Sequence, residues 1–201
     1  WLHFVEWLER TRSRRPLNGV VLALDMASLV SDPVAERKAY AHLLRARLRE
    51  LMETLSTRLP VYITLTKLDL LLGFEPFFRH FTQAQRDEIL GFTFSLNSVN
   101  DLDSWLNEFD QDWQGFIQRI NAGLPRALLQ CRDKEERSAI YSFSRQIAGA
   151  HKVLREFFVD ALASDQFSTS ALVRGVYMTS VYQQGVPTDA YVDGASRRYG
   201  L

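Results

Sequence analysis

Cysteine is nearly absent: the 201 residues contain one, Cys131. A lone thiol cannot close an internal disulfide, which excludes a disulfide-stapled secreted scaffold and favours a reducing compartment, the cytosol by default. Net charge is absent too, because 24 Lys and Arg balance 24 Asp and Glu. That balance excludes the broad basic footprint of a nucleic-acid binder and leaves only local charge to act with. No uninterrupted apolar run approaches the roughly 18 to 20 residues of a membrane span, and the run Val20 to Leu24 stops at Asp25. His3, His42, His80 and His151 are scattered with no His-x-x-x-His or Cys-His spacing, so no metal site is expected. The chain opens on Trp1 without an apolar signal core or small-residue cleavage site, and reads as a piece of something longer.

The composition that remains, 46% hydrophobic and 24% charged, is that of an ordinary globular chain large enough to bury a core without staples. Trp1, Phe4, Val5 and Leu8 recur at helical spacing, so the first ten residues read as the tail of an amphipathic helix. The run Arg10-Thr-Arg-Ser-Arg-Arg-Pro16 that follows is expected to be an exposed connection. Arg12, Arg14 and Arg15 are its candidates for docking an acidic partner, against the plainer reading of solvated arginines.

Asn18-Gly19 signals a turn, and Val20-Val-Leu-Ala-Leu24 reads as a strand buried on both faces of a parallel sheet. Ser31-Asp32-Pro33 offers a cap carboxylate and a proline for the start of a long helix, on which Tyr40, Leu44, Leu48, Leu51 and Leu55 form the apolar stripe. Arg45, Arg49 and Glu53 fall on a solvated side of it. Pro60 ends that segment, and Val61-Tyr-Ile-Thr-Leu-Thr66 is the second strand. Strand, long helix and strand make a βαβ unit, hence an α/β fold with parallel neighbours.

Leu70 to Phe78 reads as helical with an interruption near Gly73 and Pro76, followed by a short helix over Ala84 to Leu90 and an edge strand at Gly91-Phe-Thr-Phe94. Trp105, Phe109, Trp113, Phe116 and Ile120 step at helical spacing, as do Ile140 with Phe143 and Val153 through Leu162. The middle third is therefore a helical layer. Arg174-Gly-Val-Tyr-Met-Thr-Ser180 is the last strand-like run. The expected division is an α/β lobe from residues 1–96 and 166–201 with a helical insertion over 97–165.

Ligands of open parallel sheets sit beyond the carboxyl ends of the strands. Three ends here carry polar groups: Asp25, Thr66-Lys67-Leu68-Asp69 and Thr179-Ser180. In a Thr-Lys-x-Asp loop the carboxylate can accept two hydrogen bonds from the N–H edge of a guanine while the lysine stem lies along base and ribose. The structural alternative has Asp69 capping the next helix and Lys67 in water. Asp101-Leu-Asp103 and Asp110-Gln-Asp112 suit the positive end of a helix dipole better than a divalent ion, and Cys131 beside Asp133 reads as an inert thiol.

Taken together, five segments resemble the IcmF/TssM family of type VI secretion inner-membrane proteins. They are Arg14-Arg-Pro-Leu-Asn-Gly-Val-Val-Leu-Ala-Leu24, Tyr62-Ile-Thr-Leu-Thr-Lys-Leu-Asp-Leu70, Gly73-Phe74 with Phe77-Phe78, Gly91-Phe-Thr-Phe94, and Arg174 to Ser180 with Gln184-Gly185 and Pro187. The resemblance implies a cytoplasmic domain with a parallel sheet of the P-loop NTPase-like type, in a membrane subunit that helps build the envelope-spanning injection machine. It implies other membrane-complex and baseplate subunits as partners, and a place at the cytoplasmic face of the inner membrane. It puts Thr66, Lys67 and Asp69 in a base-recognition loop and Ser180 in the neighbouring one.

The phosphate-binding Gly-x-x-x-x-Gly-Lys-Ser/Thr loop does not occur in these residues. In the family, that loop and the Asp-x-x-Gly switch would lie before Trp1. No cofactor is therefore expected on this chain, GTP or ATP with magnesium being a matter for the parent. Ser144 stands where the family usually has proline, and Val181-Tyr182 where it has a more polar Gly-Thr. The leading expectation is a structural and interaction module. The alternatives are part of an active GTPase or ATPase with its phosphate loop upstream, and an adaptor ATPase-like fold binding only protein.

Overall fold

The computed structural model describes residues 1–14, 16–79, 81–95, 104–164 and 171–180, without the side chain of Arg86. Its centre is a four-stranded sheet made of β1 (Val20–Asp25), β2 (Pro60–Thr66), β3 (Gly91–Thr93) and β4 (Leu172–Met178), in the order β1-β2-β4-β3. β1, β2 and β4 are parallel neighbours, whereas β3 runs antiparallel to β4. The sheet is thus mixed rather than wholly parallel as the sequence suggested. The reason lies in the connection from β3 to β4, which contains two long helices, α6 (Ser104–Gln130) and α7 (Lys134–Leu162). Only three residues separate these helices, so they form a hairpin that brings the chain back to the end of the sheet it left. One long helix running back along the sheet gives parallel neighbours, whereas two long antiparallel helices return the chain to the end it left and give an antiparallel pair.

β1 is an edge strand and is not buried on both faces: Leu24 is 1% exposed but Val21 is 67% exposed. An unbroken apolar run carries no information about which face will be covered. Between β1 and β2 lie two helices, α2 (Met26–Ser31) and α3 (Val34–Thr54). Asp25 caps α2 by accepting a hydrogen bond from the Ser28 N–H at 3.0 Å. Asp32, expected to cap α3, instead closes α2, and Pro33 precedes α3 without any side-chain cap.

Of the expected α3 stripe, Leu48, Leu51 and Leu55 are buried and Leu44 packs against the core, while Tyr40 is 39% exposed and the neighbouring Ala41 and Met52 are buried as well. Arg45 does not sit on a solvated face either. Its guanidinium donates to the Val159 and Asp160 carbonyls at 2.6 and 2.7 Å, in the last turn of α7. A cation at a helix C-terminus satisfies carbonyls left without an intrahelical partner and complements the negative end of the dipole.

After β2 the chain makes a 3₁₀ turn over Leu68–Leu70, then α4 (Phe74–Phe78) and α5 (Gln83–Arg86). Pro76 does not interrupt α4, because it lies in the first turn, where a missing N–H costs nothing. Gly73 precedes α4 at φ +87°, and a Cβ there would lie 1.9 Å from the Ala139 carbonyl oxygen. Only glycine fits this approach of α4 to α7.

The α6 stripe is core as expected: Trp105, Phe109, Trp113, Phe116 and Ile120 are between 0 and 4% exposed. It packs on α7 through Ile140, Phe143, Ile147, Leu154 and Phe158, and the Trp113 indole N–H donates to the Ile147 carbonyl at 3.2 Å. Ser144 is in the middle of α7, its hydroxyl 2.5 Å from the Asn121 side-chain oxygen on α6. The remaining helix, α1 (Leu2–Thr11), rests on α3 through Val5, which joins a small cluster with Leu51, Leu55 and Leu59.

Candidate functional site

The parallel register places Asp25 beside Thr66 at the ends of β1 and β2, and the Thr179 N–H donates to the Leu65 carbonyl at 2.8 Å, bringing the end of β4 alongside. Four of the residues singled out in the sequence, Thr66, Lys67, Asp69 and Ser180, therefore meet at the carboxyl end of the two central strands. The Thr66 hydroxyl donates to the Leu24 carbonyl at 3.2 Å, tying the end of β2 to β1. Lys67 then adopts the left-handed conformation, φ 59° and ψ 36°, which turns the chain sharply into the 3₁₀ turn. A non-glycine residue takes this conformation at a cost of about 1 to 2 kcal/mol, so the turn is held by its surroundings.

Those surroundings are ionic and hydrogen-bonded. Lys67 Nζ lies 2.8 Å from Asp25 Oδ2, and the Ser180 hydroxyl donates to Asp69 Oδ1 at 2.7 Å. Burial alone would raise the Asp25 carboxyl, but the hydrogen bonds from Lys67 and from the Ser28 N–H outweigh it and hold the group below the ordinary carboxylate range. The same contact, the hydrogen bond to Asp25 first and its charge second, raises the Lys67 ammonium. Asp69 does not cap α4, which begins after Gly73 without a side-chain cap. It serves as the acceptor that fastens the loop after β4.

Chemically, the cluster presents a carboxylate fixed by a serine hydroxyl, next to an ammonium already paired. Asp69 retains acceptor capacity for an N–H donor from outside. Lys67 is engaged by Asp25, a partner visible in the sequence only as the polar residue ending the first strand. The signal that could have found it is the parallel pairing itself, since residues just past the ends of neighbouring strands face one another.

Arg12 and Arg14 are exposed, and Arg15 lies outside the described residues. They precede β1, whereas the cluster follows it. Six residues of extended chain, about 20 Å, separate the two, so they do not form one site.

The acidic pairs resolve differently. Asp110 is on the inner side of α6, where His151 Nε2 lies 2.9 Å from its Oδ1 and Arg155 Nε lies 2.8 Å from its Oδ2. This inter-helix brace was not legible in the sequence, because it depends on how α6 and α7 are rotated against each other. Burial and then the neighbouring Glu108 raise the Asp112 carboxyl. Asp112-Trp-Gln-Gly115 is an Asp-x-x-Gly sequence, but it lies inside α6 and is no switch loop. Asp101, Asp103, Gln184, Gly185 and Pro187 lie outside the described residues. Burial first, and then the hydrogen bond to Glu136 at 3.4 Å, push the Cys131 thiol up, away from the thiolate that reactivity requires. A cleft of about 350 Å³ between α3 and α7 is lined by Arg37, Lys38 and Arg155 but also by Glu156 and Asp160, so its charges converge on no single ligand.

A family model for the IcmF-related N-terminal domain matches residues 1–201. The type VI secretion system component TssM1 of Pseudomonas aeruginosa is 34% identical over 201 residues, covering 100% of this chain and 18% of that protein. The chain thus spans less than a fifth of the length of this relative. No solved structure matches. With the match running from the first residue to the last, through both strand-end loops and the helical hairpin, the chain belongs to the family of the IcmF-related N-terminal domain.

Proposed function

We propose that the chain is a structural and interaction domain of a type VI secretion membrane-complex subunit. In this reading it sits at the cytoplasmic face of the inner membrane, where it helps assemble the envelope-spanning complex and docks cytoplasmic components. The observation that carries it is the likeness, over the whole of this chain, to part of a type VI secretion component. Among the described residues no helix is long and apolar enough to cross a membrane.

The sheet is read as a P-loop NTPase-like scaffold used without its chemistry. Phosphoryl transfer rests on groups that grip phosphates and magnesium, and no Gly-x-x-x-x-Gly-Lys-Ser/Thr sequence is present. Among the described residues the ammonium at the strand ends, that of Lys67, is bound to Asp25.

The docking face assigned to partners is the arginine turn, Arg12, Arg14 and Arg15, whose first and last members recur within a few residues of each other and whose described members are exposed. Replacing the three by serine in the parent should leave its level and melting temperature unchanged and reduce recovery of baseplate subunits with it. Undiminished recovery would remove the arginine turn from the interface.

The second reading, a nucleotide-responsive domain completed by a phosphate loop upstream, draws on the fixed Asp69–Ser180 pair, a geometry suited to a base. Nucleotide titration of the whole parent separates the two: binding that Asp69→Ala abolishes favours the second reading, and no binding favours the first.

A further inference from the structure

The chain is neutral overall, yet its charge is spread unevenly along the helical hairpin. The inner side of α7 is apolar, formed by Ile140, Phe143, Ile147 and Leu154, all buried. On the opposite side Lys134, Arg137, Tyr141, Arg145, Ala148 and Lys152 are exposed and follow one another at intervals of three or four residues. That spacing sets them in a single line down the helix, about 27 Å long at about 1.5 Å per residue. All but Tyr141 and Ala148 are cations.

An exposed helix face ordinarily interleaves acids with bases at i, i+4, as Lys152 and Glu156 do at 3.8 Å. Along the rest of this line the pattern is missing: among the described residues Lys134, Arg137 and Arg145 make no ion pair. The carboxylates nearby are engaged or turned aside. Asp133 accepts a hydrogen bond from the Glu136 N–H at 2.8 Å as the cap of α7, and Glu136 pairs with Arg79 at 3.0 Å. Glu135 lies about 120° round the helix from the line. α6 supplies no neutralising charge, because its exposed residues include Gln114, Gln118 and Asn121 but no Asp or Glu. Asn121 Oδ1 is 2.5 Å from the Ser144 hydroxyl at the seam between the helices, and Gln118 and Gln114 continue that side of α6, so uncharged amides flank the basic line.

We infer that this face of α7 docks an acidic helical segment of a different protein, its carboxylates spaced a turn apart opposite Lys134, Arg137 and Arg145, with the Tyr141 ring at the centre of the contact. Charge complementarity to an unneutralised line selects an acidic partner, and the straight one-turn spacing selects a helix. Tyr and Arg are enriched at the energetic centres of protein interfaces, and the small Ala148 leaves a gap in the line where a partner side chain can enter. An anionic bilayer takes such cations together with an apolar anchor, and the line has no Trp, Phe or Leu to insert. Nucleic acid calls for a broader basic field than a chain of zero formal net charge offers. The inference deepens the docking function proposed above and rests on it for its setting, adding a second face and the chemistry that face reads.

The test uses the full-length parent in its native membrane. A photoreactive phenylalanine analogue in place of Tyr141 should cross-link to a peptide of another protein, and mass spectrometry should identify that peptide as helix-forming with Asp or Glu at intervals of three or four residues. Arg137→Glu together with Arg145→Glu should cut the cross-link at least about tenfold and leave the melting temperature unchanged, because both side chains are exposed and unpaired. Lys in place of the partner's facing carboxylates should restore it. Cross-links to lipid, to nucleic acid, to another segment of the parent or to an uncharged peptide would overturn the proposal, as would a yield indifferent to the double reversal. No cross-link from position 141 in a parent that still recovers baseplate subunits would strike this face alone and leave the docking function standing. A parent that recovers no secretion subunits while position 141 still cross-links to an acidic helix would strike the docking function and leave this face intact.

Discussion

At the scale of single residues, the Asp25–Lys67 pair decides how the strand ends are held. The folded state lowers the Asp25 carboxyl and raises the Lys67 ammonium. For a lowered carboxyl, the stabilisation is present above its unfolded-state value and lost as pH falls through the folded one. For a raised ammonium it is present below the unfolded-state value and lost as pH rises through the folded one. The pair therefore stabilises the loop through the whole neutral range and fails only at strong acid and strong alkali. Lys67→Met should leave the melting temperature steeply acid-sensitive elsewhere but weaken the part of the acid limb that Asp25 supplies. Thermal melts of both proteins from neutral pH down to the carboxylate range measure it, and superimposable acid limbs would show that the contact contributes nothing. Lys67 was singled out in the sequence from its motif, yet its partner was not, because a side-chain contact between two strand ends is a fact about register.

At the scale of elements, the helical hairpin carries the core, and two substitutions probe it by different mechanisms. Trp113→Ala removes a fully buried ring together with a hydrogen bond to Ile147. It should cost about 3 to 5 kcal/mol, enough to unfold or aggregate a domain of ordinary stability. A soluble variant with an unchanged melting temperature would contradict the burial of this stripe.

Gly73→Ala adds an atom instead. The left-handed φ contributes about 1 to 2 kcal/mol of strain, and forcing a methyl against the α7 backbone adds roughly 1 to 3 more. Chemical denaturation should show a lower midpoint with an unchanged slope. The α6 stripe was readable because five large apolar residues at helical spacing have no other place to go. The start of α3 was misread because Asp32 and Pro33 look like a cap followed by a first turn, and nothing local announces the short α2 that uses Asp32 as its end.

At the scale of the whole molecule, the question is whether the strand-end cluster binds nucleotide without a phosphate loop. Affinity in phosphate-binding folds comes mainly from backbone N–H groups and a lysine around the phosphates. A hydrogen bond to a charged group contributes about 1.5 to 3 kcal/mol, whereas even a 1 mM dissociation constant needs about 4.1 kcal/mol after the costs of association. Calorimetric titration of residues 1–201 with GDP, GTP and ATP in magnesium buffer should therefore show no binding. Micromolar affinity that disappears in Asp69→Ala would establish the nucleotide-responsive reading. In its absence, Asp69→Ala should act only by releasing Ser180, with a stability loss of about 0.5 to 1.5 kcal/mol or less at this exposed position.

Local pattern determined the elements of this protein: two apolar β-branched runs around a long periodic segment, and two aromatic helical stripes, allow few alternatives because each must bury its apolar side. The motifs at the strand ends were likewise present in the chain as written. What only the tertiary structure decided is everything that depends on relations between elements. β3 runs antiparallel because a two-helix hairpin returns the chain to the end it left. Arg45 turned from a solvated residue into the cap of α7, and Asp110 into a brace between helices, because helix packing chose their partners. Val21 and Tyr62 remained in the open because both faces of an apolar strand look alike in sequence, and only the placement of the helices distinguishes the side that is filled.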